Sequence, residues 1–480
     1  MKSNARAFLR MGGGVSSALA LSLTACSGGG GGSSPAQPPV FSSAATASVV
    51  ENVTGSIYQA VASDPNGDAL TYAIVGGADA QRFTISAAGQ LSFVDSPNYD
   101  LPADADQNNV YEVQIAASDG KASTTLAVSV TVGNAKEGVA VRRVGTGFTN
   151  PVAMAPKDAQ TMLVAEKGGA IYSLDLASGA KTLVHQIVSV GSGGVLAIAY
   201  GRGAITDGSF FVMYVRDNGF LIIAHFSRNG LGNIVEESMP VLATSAPNYA
   251  GGGGFIYTGD GLFAAIGDAG GAGDPSGSAQ DDSSWLGKLV RIVPNPDPYA
   301  GASPQYFLVS KVAKGLHQPR GGTGFSNGIL FADHGQAVAE ELNFFTANTT
   351  GVNFGWPFKE GVRMVAGTPP AGLTDPVLEY YRTGGLRTGQ SIVAGARGPS
   401  QVASLRDVVI FADQGGAIFT IKGSLLVPGK SLTSDVVERR DADFAPDAGT
   451  LKRPVAIETS PGGLVFLLDA GGDVFAVEGS

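Results

Sequence analysis

Leu464-Val465-Phe466-Leu467, then a turn containing Asp469-Ala470-Gly471-Gly472-Asp473, then Val474-Phe475-Ala476-Val477: two apolar runs joined by a glycine- and aspartate-rich turn. Short apolar runs bounded by turn signals predict strands of a buried sheet. The same unit recurs five times upstream. Leu163-Val164-Ala165-Glu166 pairs with Ile171-Tyr172-Ser173-Leu174, Phe211-Val212-Met213-Tyr214 with Leu221-Ile222-Ile223-Ala224, and Leu262-Phe263-Ala264-Ala265-Ile266 with Leu289-Val290-Arg291-Ile292. Ile329-Leu330-Phe331-Ala332 pairs with Leu342-Asn343-Phe344-Phe345, and Val409-Ile410-Phe411-Ala412 with Ile418-Phe419-Thr420-Ile421. A period of roughly 50 to 80 residues, with several strands per unit, points to a β-propeller, because a lone four-stranded sheet cannot cover its own faces and stacks on neighbours around an axis. Tandem sandwiches would not share one strand-turn-strand grammar, and the units are too long for a β-helix. Six units predict six blades over residues 138–480.

Upstream, residues 41–137 change to a period of two. Leu70, Tyr72 and Ile74 share one face, Tyr111, Val113 and Ile115 another, and Leu126, Val128, Val130 and Val132 a third. Alternation separated by Asp/Asn/Gly turns predicts a small antiparallel sandwich. Between residues 41 and 134, ten carboxylates face only Arg82 and Lys121, a surplus of eight negative charges. Several acids fall in loops: Asp64 and Asp68 around Asn66-Gly67, then Asp100, Asp104 and Asp106, then Asp119. Clustered hard oxygens on bent loops suit Ca2+, which takes about six to eight of them; solvated turn residues are the alternative, since Asp and Asn favour turns on their own account.

This segment resembles a bacterial cadherin-like repeat, through Val50-Glu51-Asn52, Asp64-Pro65-Asn66-Gly67-Asp68, Phe83-Thr84-Ile85 and Ala117-Ser118-Asp119-Gly120. The resemblance implies calcium ligands at Glu51, Asp64, Asp68, Asp100, Asp104, Asp106 and Asp119, and a role in cell adhesion. It departs at Tyr99-Asp100, where the family carries a glutamate after the tyrosine, and at the linker motif, reduced to Gly133-Asn134. Cadherins hold their ions between consecutive repeats, whereas one repeat stands here. The fold class expected is therefore all-β: a cadherin-like (immunoglobulin-like) β-sandwich followed by a six-bladed β-propeller.

Composition agrees. Of 480 residues 69 are glycine and 15% are charged, a turn-rich chain, while 44% hydrophobic residues supply a core. A net charge of -10 without a basic cluster speaks against nucleic acid as a partner. The one cysteine excludes an internal disulfide framework. It is Cys26, at the end of Lys2, Arg6 and Arg10, an apolar run from Val15 to Leu23, and Leu23-Thr24-Ala25-Cys26. The run is too short to span a bilayer, which needs about 20 apolar residues, and reads as an export signal. Residues 1–26 resemble a bacterial lipoprotein signal with its lipobox, implying a lipid anchor at Cys26 in the cell envelope. Residues 27–40, rich in Gly, Ser and Pro, form a tether, and Ser27 resembles the pattern that sorts lipoproteins to the outer membrane.

The propeller resembles the glucose/sorbosone dehydrogenase family of PQQ-dependent sugar-oxidising enzymes. The matches include Gly147-Phe148-Thr149-Asn150-Pro151, Gly193-Gly194-Val195-Leu196, Gly267-Asp268 with Gly273-Asp274-Pro275, Leu286-Gly287-Lys288-Leu289, Glu340-Glu341-Leu342-Asn343 and Asn353-Phe354-Gly355-Trp356-Pro357. The resemblance implies a histidine base, an arginine against the cofactor and Ca2+ to polarise the quinone. Four positions depart from it. Ala250 stands in the base's place, His317 in the arginine's, Ser192 in a glutamine's and Ala417 in a second arginine's. Asp268, which in the family orients the base, has no base to orient, and Asp268, Asp274 and Gln280 read either as a loop network or as a metal site. Trp356 reads as packing between blades. The reading that follows is a membrane-anchored, calcium-binding protein whose propeller binds a carbohydrate or cell-surface protein without catalysis. Its alternative is a PQQ-dependent enzyme oxidising aldoses, with His317 and Asp268 as catalytic residues.

Overall fold

The computed structural model describes residues 35–201, 208–258, 261–300, 305–346, 349–383 and 387–480; Cys26 and the export segment lie outside them. The described residues form strands and a few short 3-10 turns, with no α-helix.

The N-terminal module is a sandwich. One sheet runs Thr46–Val50, Ser123–Gly133, Val110–Ser118, Thr71–Gly76 in spatial order, and the other Ser56–Gln59, Gln90–Phe93, Phe83–Ile85. The period of two does what it predicts: Tyr111, Val113 and Ile115, with Val128, Val130 and Val132, turn inward to pack on Phe83 and Leu91. Phe93 meets Tyr111 edge-on at 5.0 Å. The expectation of a wholly antiparallel sandwich is corrected at one strand, because Thr46–Val50 runs parallel to the end of Ser123–Gly133. The chain first pairs Val40–Phe41 with Ala62–Ser63 and then crosses over. A strand that arrives by crossover rather than by hairpin is free to be parallel, and alternation carries no information about direction.

The remaining described residues fold into six blade sheets, four of them four-stranded and two five-stranded, with a small two-stranded sheet of Lys359–Glu360 and Arg363–Met364 beside them. All six repeat units become the second and third strands of a blade, as in Val408–Asp413 with Ile418–Lys422 and Val465–Asp469 with Val474–Gly479. These strands are buried on both faces, which is why they read as continuous apolar runs. The inner strands Pro151–Pro156, Val190–Tyr200, Gly253–Thr258, Gln318–Phe325, Ile392–Arg397 and Pro454–Thr459 contact one another in sequence, and the last contacts the first. The ring is latched by Val139–Gly145, which pairs with Val474–Gly479 as the outer strand of the last blade.

Carboxylates at the ends of second strands fix the turns into the inner strands. Asp333 accepts from the N–H groups of His317 and Gln318 at 2.9 and 2.7 Å, Asp413 from Gln390 and Ser391 at 2.8 Å each, and Asp469 from Lys452 and Arg453 at 2.9 and 2.6 Å. Glu166 does the same for Thr149 at 2.7 Å. Each carboxylate thus satisfies backbone donors that the sheet leaves unpaired, and places the loops that rim the axis.

The two modules touch. Arg439 N–H donates to Asp100 O at 3.0 Å, Asn98 to Glu438 at 3.2 Å, and Asn52 to Glu137 at 2.7 Å.

Candidate axial binding site

The loops that enter the inner strands enclose a cavity of about 640 Å3 on the propeller axis. Its wall carries Ala250, Ser192, the backbone of Gly251 through Gly254, Gln414 and Glu458, and three cationic side chains, Lys167, Arg320 and Arg453. The cations come from the first, fourth and sixth blades. Arg320 is half-buried, its Nε has no hydrogen-bond partner, and burial lowers its pKa from the ordinary guanidinium value. Gly252 must be glycine, because a Cβ there would collide with the backbone of Gln318 and Pro319 in the next blade. Tyr249 pins this loop, donating its hydroxyl proton to Gly252 O at 2.6 Å and accepting from Gly267 N–H at 2.9 Å. A second cavity, of about 730 Å3, opens at the other mouth and shares Met154, Ile198, Phe255, Ile457 and Glu458 with the first. The charged groups brought together on the first mouth make it the candidate site.

Ala250 and Ser192 both face this cavity, where the resemblance places the base and the glutamine. His317 does not line it. Its ring lies 4.2 Å from that of Trp356, its Nδ1–H donates to His334 O at 2.7 Å, and burial pulls its pKa down to about 4. A histidine so placed is neutral at pH 7, and no cation stands at that position. Ala417 is packed in the core of the fifth blade and does not reach the cavity, where that blade contributes Gln414.

Asp268 has a partner after all, which corrects the expectation that it orients nothing. It is fully buried, and Oδ2 accepts from Trp356 Nε1 at 2.6 Å while Oδ1 accepts from Gly270 N–H at 2.8 Å. Burial raises its pKa to about 6. Trp356 therefore both packs and donates. Asp274 caps its own loop through Ser278 N–H at 2.9 Å and Ala279 N–H at 2.8 Å. Gln280 and Asn353 exchange amide hydrogen bonds at 3.0 and 2.8 Å. Lys288, buried beneath, donates to the carbonyls of Ser278, Ala279 and Leu286 at 2.7, 3.2 and 2.8 Å. These residues form a loop network with its donors and acceptors matched to one another.

In the sandwich, the structure divides the seven candidate calcium ligands. Asp64, Asp68 and Asp119 converge, one carboxylate oxygen from each lying within 4.8 Å of the others, and Lys121 bridges to Asp68 at 2.8 Å. Asp104 caps its own loop through Asn108 N–H at 2.7 Å, and Asp106 accepts from the Asn108 side chain at 2.7 Å. Glu51 binds the N–H groups of Tyr99 and Ala135 at 2.8 Å each. Asp100 lies at the junction with the propeller, grouped with Glu137 and Asp443. Sequence reasoning missed Lys167, Arg320 and Arg453, which are remote from one another along the chain, and it missed Glu137 and Asp443.

An immunoglobulin-like sandwich joined to a six-bladed propeller with a cationic axial cavity defines a two-module, all-β protein of the propeller class. Residues 148–404 match the family described as Glucose / Sorbosone dehydrogenase, and residues 36–132 match the Bacterial Ig domain. The chain belongs to the glucose/sorbosone dehydrogenase family. Among solved structures it is similar to the PQQ-bound aldose sugar dehydrogenase of Streptomyces coelicolor, with 20% identity, a TM-score of 0.52, and coverage of 71% of this chain and 98% of that one. It is also similar to the soluble aldose sugar dehydrogenase of Escherichia coli in its apo form, with 19% identity, a TM-score of 0.52, and coverage of 71% and 100%. A third, an oxidoreductase of Thermus thermophilus described as a glucose dehydrogenase, gives 20% identity and a TM-score of 0.50, with coverage of 71% and 100%. At such identities the likeness is one of fold.

Proposed function

We propose that this protein binds a ligand at the axial cavity of its propeller and does not oxidise it. The observation that carries the reading is Ala250: a methyl group faces the cavity where the family's base would stand. Among the described residues the wall holds no imidazole and a single carboxylate, Glu458, against three cations. That donor set does not fit a calcium-assisted quinone reaction, which needs hard anionic oxygens for the metal and a base for the hydroxyl proton, so no redox step is derived. It does fit an anion. Lys167, Arg320 and Arg453 suit the carboxylates of an acidic glycan, and such a ligand is the class proposed. PQQ, named in the Streptomyces coelicolor structure, is itself a carboxylate, and its binding without turnover would make the propeller a quinone sensor.

The remainder of the reading rests on sequence. A lipid at Cys26 would tether the chain to the bacterial envelope, at the outer membrane, and the sandwich would bind Ca2+ at Asp64, Asp68 and Asp119 while presenting the propeller to a carbohydrate or a cell-surface protein. Calorimetric titration with oligogalacturonate, beside a neutral oligosaccharide of equal length, tests the cavity. Binding of the acidic sugar alone, weakened at least tenfold in Arg320→Ala, is the expected result. Equal affinity for both sugars, or an unchanged affinity in the variant, would sink it. Fractionation tests the anchor: Cys26→Ala should move the protein from membranes to the soluble fraction.

A further inference from the structure

Where the sandwich meets the propeller, four carboxylates contact one guanidinium. Arg440, almost wholly buried, contacts Asp443 and Glu137 at 2.7 Å each, Asp100 at 3.4 Å and Glu438 at 3.8 Å. Glu51 faces the same group, since Glu137 and Asp443 both act on its charge. The carboxylates of Asp100 and Asp443 are 3% and 0% exposed, so water does not compensate them. The guanidiniums do not balance them either: buried Arg387 reaches only the Asp100 backbone oxygen, at 3.4 Å. Arg440 takes Oδ2 of both aspartates, while Oδ1 of Asp100 and Oδ1 of Asp443 have no hydrogen-bond partner at all. Asn134, next to the backbone that Glu51 holds, likewise buries both amide atoms without a partner.

Orphaned buried carboxylate oxygens are costly, each forfeiting solvation with no interaction in return. The donors here are all oxygens, and one from each of Asp100, Glu137 and Asp443 lies within 4.8 Å of the others. That chemistry selects a hard divalent cation over a transition metal.

We propose that a calcium-type divalent cation binds in the seam between the two modules, held by Asp100 of the sandwich, Glu137 of the connecting segment and Asp443 of the propeller, and that it locks the sandwich in one orientation on the propeller. The proposal is independent of the axial cavity and of the Asp64, Asp68 and Asp119 cluster. Because the three ligands come from three segments, the ion can bind at full strength only when both modules are docked. Its occupancy is therefore linked to docking.

The test uses the full chain, stripped with EDTA and titrated with CaCl2 by calorimetry, in the wild type, Asp443→Asn, Glu137→Gln and Asp64→Asn. Glu137→Gln, at a half-exposed position, serves as the second seam variant should Asp443→Asn fold poorly. The expected result is that Asp443→Asn or Glu137→Gln loses one bound Ca2+ or weakens it at least tenfold, while Asp64→Asn retains that ion. Calcium should also raise the thermal midpoint of the wild type more than that of either seam variant. If the seam variants match the wild type in stoichiometry and affinity, the proposal fails. Loss of the ion in Asp64→Asn alone would assign calcium to the loop cluster and likewise overturn the seam site. Absence of binding to the wild type would remove both.

Discussion

Two neighbouring parts of the propeller behave in opposite ways. Behind the third and fourth blades, Asp268, Trp356, Asp274, Gln280, Asn353 and Lys288 hold one another through matched hydrogen bonds. The adjoining cavity wall carries a methyl group at Ala250, a guanidinium at Arg320 with an unpartnered Nε, and the exposed cations Lys167 and Arg453. The framework has the residues that keep the blades in register, whereas the mouth gathers three cations and has a methyl group, not an imidazole, at position 250. A sequence match through framework motifs therefore identifies the fold and leaves the chemistry to a handful of positions beside it.

The sharpest way to break this contrast is at Trp356. Trp356→Ala should cost about 3–5 kcal/mol of unfolding free energy, the usual loss for truncating a large buried aromatic. Trp356→Phe, which keeps the bulk but leaves the Asp268 carboxylate short of a donor, should cost about 1–3 kcal/mol. Denaturant unfolding measures both. No loss in Trp356→Phe would mean that the indole acts by packing alone.

The pH dependence gives the next effect. With Asp268 at about 6 in the folded protein and 3.8 as its ordinary value, the folded state keeps a proton that the unfolded state has released between roughly pH 4 and 6. Its contribution is thus complete below pH 4 and is lost as pH rises through 6, amounting to at most about 3 kcal/mol from a shift near two pKa units. Asp268→Asn should flatten unfolding free energy across that window. An unchanged slope would assign the pH dependence to other carboxylates.

The smallest effect belongs to the cavity wall. Lys167→Ala and Arg453→Ala should change stability by no more than about 0.5 kcal/mol, as exposed substitutions do, while weakening the acidic glycan. Large losses of stability at these positions would place them in the framework and erase the contrast.

What the sequence revealed follows the same division. Apolar strands are local, so each repeat unit could be located and all six became the central strands of blades. The latch was not legible: Val139–Gly145 pairs with Val474–Gly479 across almost the whole propeller, and its own alternation says nothing of its partner. The parallel strand Thr46–Val50 was hidden for the same reason. At the site, Ala250 could be placed on the cavity wall from sequence because a glycine pair marks the place. The cations could not, because Lys167, Arg320 and Arg453 meet only when the ring closes. His317 reads as a functional substitute in sequence, yet Trp356 and the His334 carbonyl hold it outside the cavity wall. Asp100 was legible as an acid in a loop, but its grouping with Asp443 depends on how two modules dock.

The central claim, a propeller that binds without oxidising, is tested most directly by dye-linked turnover of aldoses by the full chain at saturating PQQ and Ca2+. Losing a general base costs about 100- to 10,000-fold in rate, and turnover is expected to stay below about 1 s⁻¹, under the ordinary range of enzymes. A rate at or above that value, abolished by omitting PQQ, would contradict the account and make the protein a working sugar dehydrogenase.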